Sequence, residues 1–347
     1  MERKDLIKML EAASLKKPSA NFSVAEIQTA STKALKEYFN INDNFTPREL
    51  REHRNEYFAI MEEVVDRVLP EMMTNILGDI AEVKSFERDS QVLFKIKGLG
   101  ANRVKAAIVP GARGGVYRAR RLDSNEMTLN TRVYTVGYSV TLEDILAGSR
   151  SVADVLEVIT EGLAQQIWIE IVKALRAAYA AVPANNKATA SGDTIDLKGI
   201  DKIVRTVGAY GTPFIIGFSS LIDQISNLVP FQNAGPNING QDLIDVREQG
   251  YVGKYKGTAV IKLPNYFVDE SNSQWLFKET DIFVLPSDAR PVKVALRGDA
   301  YTAEVQQPHG GMEWHLHKMM GVGILFYNNI GIYQQTGTSA LDADGLY

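Results

Sequence analysis

The sequence contains no cysteine, so disulfide bonds, thiolate metal sites and cysteine nucleophiles are all excluded. It also has no apolar run of the roughly 18 residues that a bilayer-spanning helix needs. The best candidate, residues 163–182, is interrupted by Glu170, Lys173 and Arg176. Because 45% of the 347 residues are hydrophobic, we expect a soluble globular protein whose stability depends on packing alone.

Acidic residues are absent from one long segment, residues 95–121. Its charged residues are all basic: Lys95, Lys97, Arg103, Lys105, Arg113, Arg118, Arg120 and Arg121. The formal net charge of the chain is −4, so without these eight positive charges the rest of the chain carries −12. A basic segment on an acidic body favours association between copies of the chain.

This basic segment is rich in glycine and too thin to fold around a core of its own. Three interpretations remain open: a solvated loop, a phosphate-binding surface, and contact with the acidic surface of another copy. Tyr117 is the one aromatic residue among the arginines. Single-stranded nucleic acids bind by stacking their bases on several aromatic side chains, so the phosphate-binding interpretation is disfavoured. We favour contact with another copy.

Helix signals are clear in the first eighty residues. Ser23 and Glu26 form a capping box, and Thr46 followed by Pro47 marks a second helix start. Pro70 is expected to end or kink the second helix, because proline has no N–H and its ring clashes with the preceding turn. The N-terminal region is therefore predicted to be helical.

The longest predicted helix covers residues 151–181, where apolar residues recur at helical spacing. At 1.5 Å per residue it would form a rod of roughly 45 to 50 Å. Paired carboxylates on the earlier helices, such as Glu62 and Glu63, have no apolar pocket apparent in the sequence. We expect them on a solvated face.

Two alternating segments, residues 92–96 and 134–140, predict strands that bracket the basic tip. The connection between them is far longer than the about 2 to 5 residues of an ordinary hairpin loop. The sequence therefore predicts an extended two-stranded arm.

Short helices and strands alternate from residue 195 to residue 286, which predicts a compact α/β unit. A helix is expected at 197–207, a buried strand at 213–218, a helix at 219–228 and a loop at 231–240. The chain is then predicted to be mostly β, with strands at 291–296, 301–305, 312–319 and 323–333.

The sharpest candidate for metal chemistry is a strand in which Glu313, His315 and His317 share one face, with His309 just upstream. Three imidazoles and a carboxylate can bind zinc or iron. Alternatively, Met312, Trp314 and Leu316 face a core and the polar side meets water or a neighbour. No phosphate-binding or nucleophile motif is complete, so we predict no catalytic residue and no cofactor.

Three segments carry a resemblance to a known family. YSVTLED (138–144), running into the helix at 151–181, resembles the arm exit and spine helix of the major capsid protein of tailed bacteriophages. GYVGKYKGTAV (250–260) resembles its axial-domain stretch, and KMMGVGILFY (318–327) resembles the closing strands of its peripheral domain. The order of parts resembles the Hong Kong 97 fold.

The resemblance implies an α+β protein with the organisation of that capsid fold. The implied parts are a helical N-terminal region (1–82), an extended β arm (83–137), a peripheral domain with a spine helix (138–190), an axial domain (191–285), peripheral strands (286–335) and a C-terminal tail (336–347). The eight basic residues of the arm would contact an adjacent subunit. Residues of the loop near the capsomer axis would be Phe231, Asn233, Asn237 and Asn239.

The function that the resemblance implies is structural. Subunits would assemble into hexamers and pentamers of an icosahedral head that encloses double-stranded DNA without sequence-specific contact, and the protein would not be an enzyme. Portal, scaffold or decoration proteins would be further partners, with no membrane contact. The protein would be located in the virion after assembly in the host cytoplasm. Two alternatives remain open: an encapsulin-type compartment, and a metal enzyme that uses His309, His315 and His317.

Overall fold

The computed structural model describes residues 2–15, 24–40, 47–78, 80–96, 125–138, 152–180, 186–232, 253–263, 265–268, 271–287, 290–306, 312–324 and 329–336. The chain forms two units. The first comprises residues 1–93, 128–170 and 294–323, and the second comprises residues 94–127, 171–293 and 324–347. Both helices and sheets are present, which confirms the α+β class. No helix within the described ranges is both long and apolar enough to span a membrane.

Three helices begin the first unit: α1 (Arg3–Ser14), α2 (Val24–Phe39) and α3 (Pro47–Leu77). The starts of α2 and α3 follow Ser23 and Thr46 directly, as the capping signals predict. Pro70 does not end α3, which continues to Leu77. Proline removes one N–H from the helix, but the buried face continues on both sides of it. That face consists of Tyr57, Ile60, Met61, Val64, Val65, Val68, Leu69, Met73 and Leu77.

A four-stranded sheet has the order β1–β10–β11–β4, with β1 at Ala81–Phe86, β4 at Arg132–Tyr138, β10 at Val292–Gln306 and β11 at Met312–Ile324. Strand β4 pairs antiparallel with β11, with Val136 opposite Leu316. The prediction that this strand returns from the arm is therefore wrong. The two strands expected at 291–296 and 301–305 are one strand, which passes through Gly298 at a φ of +66°.

The strand that returns from the arm is shorter and earlier than predicted. Strands β2 (Leu93–Ile96) and β3 (Asn125–Thr128) form a separate two-stranded sheet. The sequence of β3, Asn-Glu-Met-Thr, lacks the alternation of apolar and polar residues on which strand prediction depends. Strand β3 is identified as a strand only by its pairing with β2.

The second unit contains a six-stranded sheet. Its order is β5 (Thr189–Gly192), β12 (Gly331–Gln335), β9 (Asp281–Pro286), β6 (Pro213–Phe218), β8 (Thr258–Leu263) and β7 (Lys254–Tyr255). Strands β6 and β8 are parallel, and β6 and β9 are antiparallel. Strand β12 pairs with β5 and β9 in this sheet, which differs from the predicted grouping of residues 286–335 as peripheral strands.

The remaining helices are α4 (Val152–Ala180), α5 (Leu197–Gly208) and α6 (Ser219–Gln232). The carboxylate of Asp196 accepts hydrogen bonds from the N–H groups of Lys198 and Gly199 and so caps α5. Helix α5 packs closely on β12, because a Cβ atom at Gly331 would lie 2.1 Å from Cγ2 of Ile203. Glycine at this position lets helix and sheet share one core.

A buried tyrosine joins the edge strand β7 to α5. The hydroxyl of Tyr255 donates a hydrogen bond of 2.8 Å to Oδ1 of Asp201. Burial, and then this hydrogen bond, raise the pKa of Tyr255 well above its ordinary value of 10.0. Above pH 10 the unfolded chain therefore releases a proton that the folded chain keeps, so stability falls as pH rises.

We expect Tyr255→Phe to reduce this alkaline loss of stability. The wild-type free energy of unfolding should fall by up to about 1.4 kcal/mol per pH unit through this group alone. The variant should lose about 1 kcal/mol at neutral pH, where the hydrogen bond is missing, and should show a shallower slope above pH 10. Denaturant titrations at several pH values measure both effects. Tyr266→Phe, at an exposed position, is the control, and equal slopes for Tyr255→Phe and wild type would contradict the prediction.

Candidate assembly surfaces

The base of the arm is the two-stranded sheet of β2 and β3, closed by a hydrogen bond of 3.1 Å from the N–H of Leu129 to the carbonyl oxygen of Val92. Lys95 lies on β2 and is exposed. The other basic residues predicted for the arm lie outside the described residues: Lys97, Arg103, Lys105, Arg113, Arg118, Arg120 and Arg121. Their role in contact between subunits stays a prediction.

The predicted axial loop begins later than expected. Helix α6 continues to Gln232, so Phe231 lies in its last turn and not in the loop. The helix is predicted to end at residue 228, but α6 continues through Pro230 as α3 continues through Pro70. The other predicted loop residues, Asn233, Asn237 and Asn239, are outside the described ranges.

A buried carboxylate holds the beginning of α6. Oε2 of Glu279 accepts a hydrogen bond of 2.9 Å from the N–H of Ser220, in the first turn of the helix. Its other oxygen accepts a hydrogen bond of 2.9 Å from the side-chain amide of Asn265. A negative charge is favourable at a helix N-terminus. No local pattern in the sequence marks Glu279, because its contact joins residues far apart in the chain.

Asn265 and Glu279 also mark the base of an exposed hairpin. We call residues 265–277 the aromatic hairpin, of which 269 and 270 are not described. The N–H of Leu276 donates a hydrogen bond of 2.7 Å to the carbonyl oxygen of Tyr266, and the rings of Phe267 and Trp275 stack at 3.9 Å. Three consecutive apolar side chains, Tyr266, Phe267 and Val268, are 39 to 48% exposed. A cluster of exposed apolar side chains is typical of a contact surface.

An ionic cluster in the first unit attaches α3 to β10 and β11. Lys318, whose side chain is only 5% exposed, lies 2.5 Å from Oδ1 of Asp66 and donates a hydrogen bond of 2.6 Å to the carbonyl oxygen of Gly298. Asp66 also accepts from the N–H of Ala300, at 3.0 and 2.9 Å. Burial raises the pKa of Asp66, and the hydrogen bonds from Lys318 and Ala300 oppose that rise.

Glu62 belongs to the same face of α3, one turn before Asp66. Its Oε1 accepts a hydrogen bond of 2.5 Å from the N–H of Thr302 on β10. The expectation that Glu62 lies on a solvated face is therefore wrong, because β10 covers this side of the helix. Glu63 instead pairs with Arg3 and Arg67 in partly exposed ion pairs.

The histidine strand is β11. The rings of His315 and His317 lie 6.4 Å apart on one face, and Nδ1 of His317 is 2.7 Å from the hydroxyl of Thr135. Leu316, on the opposite face, is buried. His309 and the side chain of Glu313 are not described. In the part of the chain that the structure covers, no group of three His, Cys, Asp or Glu side chains is placed to hold a metal ion.

Solved structures with a similar fold include the mature capsid of bacteriophage PhiM1, with 12% identity over 74% of this chain and 85% of that chain, at a TM-score of 0.46. The structure from Microbacterium phage Oxtober96 has 13% identity over 73% of this chain and 88% of that chain, at a TM-score of 0.47. The SrpI encapsulin of Synechococcus elongatus PCC 7942 has 10% identity over 76% of this chain and 88% of that chain, at a TM-score of 0.42. No curated protein matches the sequence.

A family of capsid proteins matches this chain over residues 9–334, nearly its whole length. The chain belongs to that family, whose description is "SPbeta prophage-derived putative capsid protein YonB". It is therefore a structural shell protein of the phage capsid class, and the prediction made from the three resembling segments is confirmed.

Proposed function

We propose that this protein forms the hexamers and pentamers of an icosahedral phage head that encloses double-stranded DNA. The observation that carries the proposal is the division of charge within a chain that belongs to a capsid family. Eight basic residues lie in the segment 95–121, whereas the rest of the chain carries a formal charge of −12. Each copy therefore offers both halves of an electrostatic contact.

The arm supplies the first contact between neighbours. The segment 97–124 connects β2 to β3 along the chain, and its glycine-rich, basic composition is too polar to form a core of its own. Such a segment gains buried area only from another chain. We infer that it lies across an adjacent subunit, with its arginines against carboxylates there.

The aromatic hairpin and the loop after α6 supply further contacts. Both belong to the second unit and fall within residues 191–285, which the resemblance assigns to an axial domain. The exposed side chains of Tyr266, Phe267 and Val268 contribute favourable free energy only when a partner removes their apolar surface from water. We infer that they meet other subunits in the capsomer, and that Asn233, Asn237 and Asn239 lie near its axis.

The phage head is distinguished from an encapsulin-type compartment by its contents. A head contains double-stranded DNA, takes portal, scaffold or decoration proteins as further partners, and assembles in the host cytoplasm before release as a virion. A compartment contains a cargo enzyme. A metal enzyme would bind stoichiometric metal, and elemental analysis of the purified chain tests this alternative directly.

Electron microscopy of the purified protein tests the shell function. Closed particles with five-fold and six-fold capsomers are the expected result. Monomers at every protein and salt concentration would contradict the proposal. Nuclease-protected DNA in particles from infected or induced cells would support the phage head, whereas a copurifying enzyme and no DNA would support the compartment.

A further inference from the structure

A polar pocket of about 410 Å³ lies beside the base of the arm, within the first unit. It forms where the turn before β2, the end of β3 and the middle of β10 meet. Its polar lining is Asp89, Ser90, Gln91, Thr128, Asn130, Thr131 and Arg297. The pocket is distinct from the aromatic hairpin and the histidine strand, and no motif in the sequence marks it.

Arg297 is incompletely bonded in this pocket. Its Nε is buried and has no hydrogen-bond partner. One terminal nitrogen reaches the hydroxyl of Thr131 at 3.5 Å, which is long for a hydrogen bond. Among the described residues, no carboxylate lies within 4.0 Å of the guanidinium. A buried, charged donor without an acceptor is costly, so the single chain leaves this site unfinished.

The missing partner must be an acceptor that fits a guanidinium. A carboxylate accepts two parallel hydrogen bonds from arginine, and this charge-assisted pair is among the strongest in proteins. Neighbouring hydroxyl and amide groups, from Thr128 and Asn130, can donate to the same carboxylate. At about 410 Å³, the pocket is large enough to admit a carboxylate side chain.

We propose that this pocket binds an aspartate or glutamate side chain of a second copy of the chain. The inference rests on the proposed shell function, since it needs an adjacent subunit. Carboxylates are abundant on such a neighbour, because the chain outside residues 95–121 carries a formal charge of −12. A nucleic-acid backbone fits less well, since Asp89 offsets the single arginine and polyanion binding depends on several cations together.

The test compares assembly by the full-length wild type, Arg297→Gln, Arg297→Lys and Asp89→Asn. We expect Arg297→Gln to fold normally, since the orphaned donor contributes nothing to the free subunit, and to raise the concentration for half-maximal assembly about tenfold or more. Arg297→Lys keeps the positive charge but loses the planar guanidinium that makes two parallel hydrogen bonds. Its concentration for half-maximal assembly should therefore lie between those of wild type and Arg297→Gln. Asp89→Asn should assemble at least as well as wild type. Sedimentation gives assembly, and thermal unfolding gives the stability of the free subunit.

Different failures have different consequences. Arg297→Gln particles that form like wild-type particles would overturn this inference and leave the shell function standing. An equal defect in Asp89→Asn would overturn it in favour of an internal pair, and normal shells that lose only DNA would overturn it in favour of phosphate. A wild type that never assembles would overturn both proposals. If Arg297→Gln misfolds, the assembly of Arg297→Lys is the test, together with a map of wild-type particles. A guanidinium in contact with a neighbour's carboxylate would support the inference, and one without such a contact would overturn it.

Discussion

Lys318→Met should lower the free energy of unfolding of the first unit by about 3 to 5 kcal/mol, the usual cost of removing one partner of a buried ion pair. Methionine fills a similar volume but leaves the carboxylate of Asp66 partly buried without its cation. It also removes the donor to the carbonyl oxygen of Gly298. Chemical denaturation of the unassembled subunit measures the loss.

The matched control is Lys84→Met, which removes an exposed ion pair with Glu82 in the same unit. Exposed pairs contribute at most about 1 kcal/mol, so this variant should unfold close to wild type. The double variant Lys318→Met with Asp66→Asn should be more stable than Lys318→Met alone, because it no longer buries an unpaired charge. Similar small losses for Lys318→Met and Lys84→Met would show that the buried cluster does not hold α3 in place.

Reversing three charges in the arm, with Arg118, Arg120 and Arg121 changed to Glu, should abolish particle formation and leave the subunit folded. Each contact that attracted the arm to an acidic neighbour would become repulsive, and like charges across an interface cost several kcal/mol. The arm has no core of its own to lose. Electron microscopy and sedimentation show the particles, and circular dichroism shows whether the subunit is intact.

A second triple variant controls for total charge. Lys198, Lys202 and Arg205 are exposed basic residues on α5, and changing them to Glu makes the same change in net charge elsewhere on the chain. We expect this variant to assemble. Normal particles from the arm variant would show that its basic residues do not drive assembly, and a failure of both variants would assign the effect to net charge alone.

The elements that the sequence predicted well are those whose signals are local. Helix α4 (Val152–Ala180) agrees with the predicted 151–181, and β6 agrees with the predicted 213–218 at both ends. In each case the periodicity of the apolar residues is set within the segment itself. Thr46 and Pro47 fixed the start of α3 for the same reason, since capping involves only the first turn.

The errors concern contacts between residues far apart in the chain. The partner of β4 is β11, about 180 residues away, and no pattern within either strand indicates that pairing. Pro70 carries a local signal to end the helix, which the buried residues after it override. Glu62 looks like a solvent-facing carboxylate until β10 is placed beside it.

The carboxylates of α3 have a further consequence for a protein that is made in many copies. The N–H groups of Ala300 and Thr302 on β10 donate hydrogen bonds to Asp66 and Glu62. An open row of such groups would recruit strands from other molecules and lead to fibres. By occupying these donors, the helix leaves neither N–H group open to a strand of another molecule.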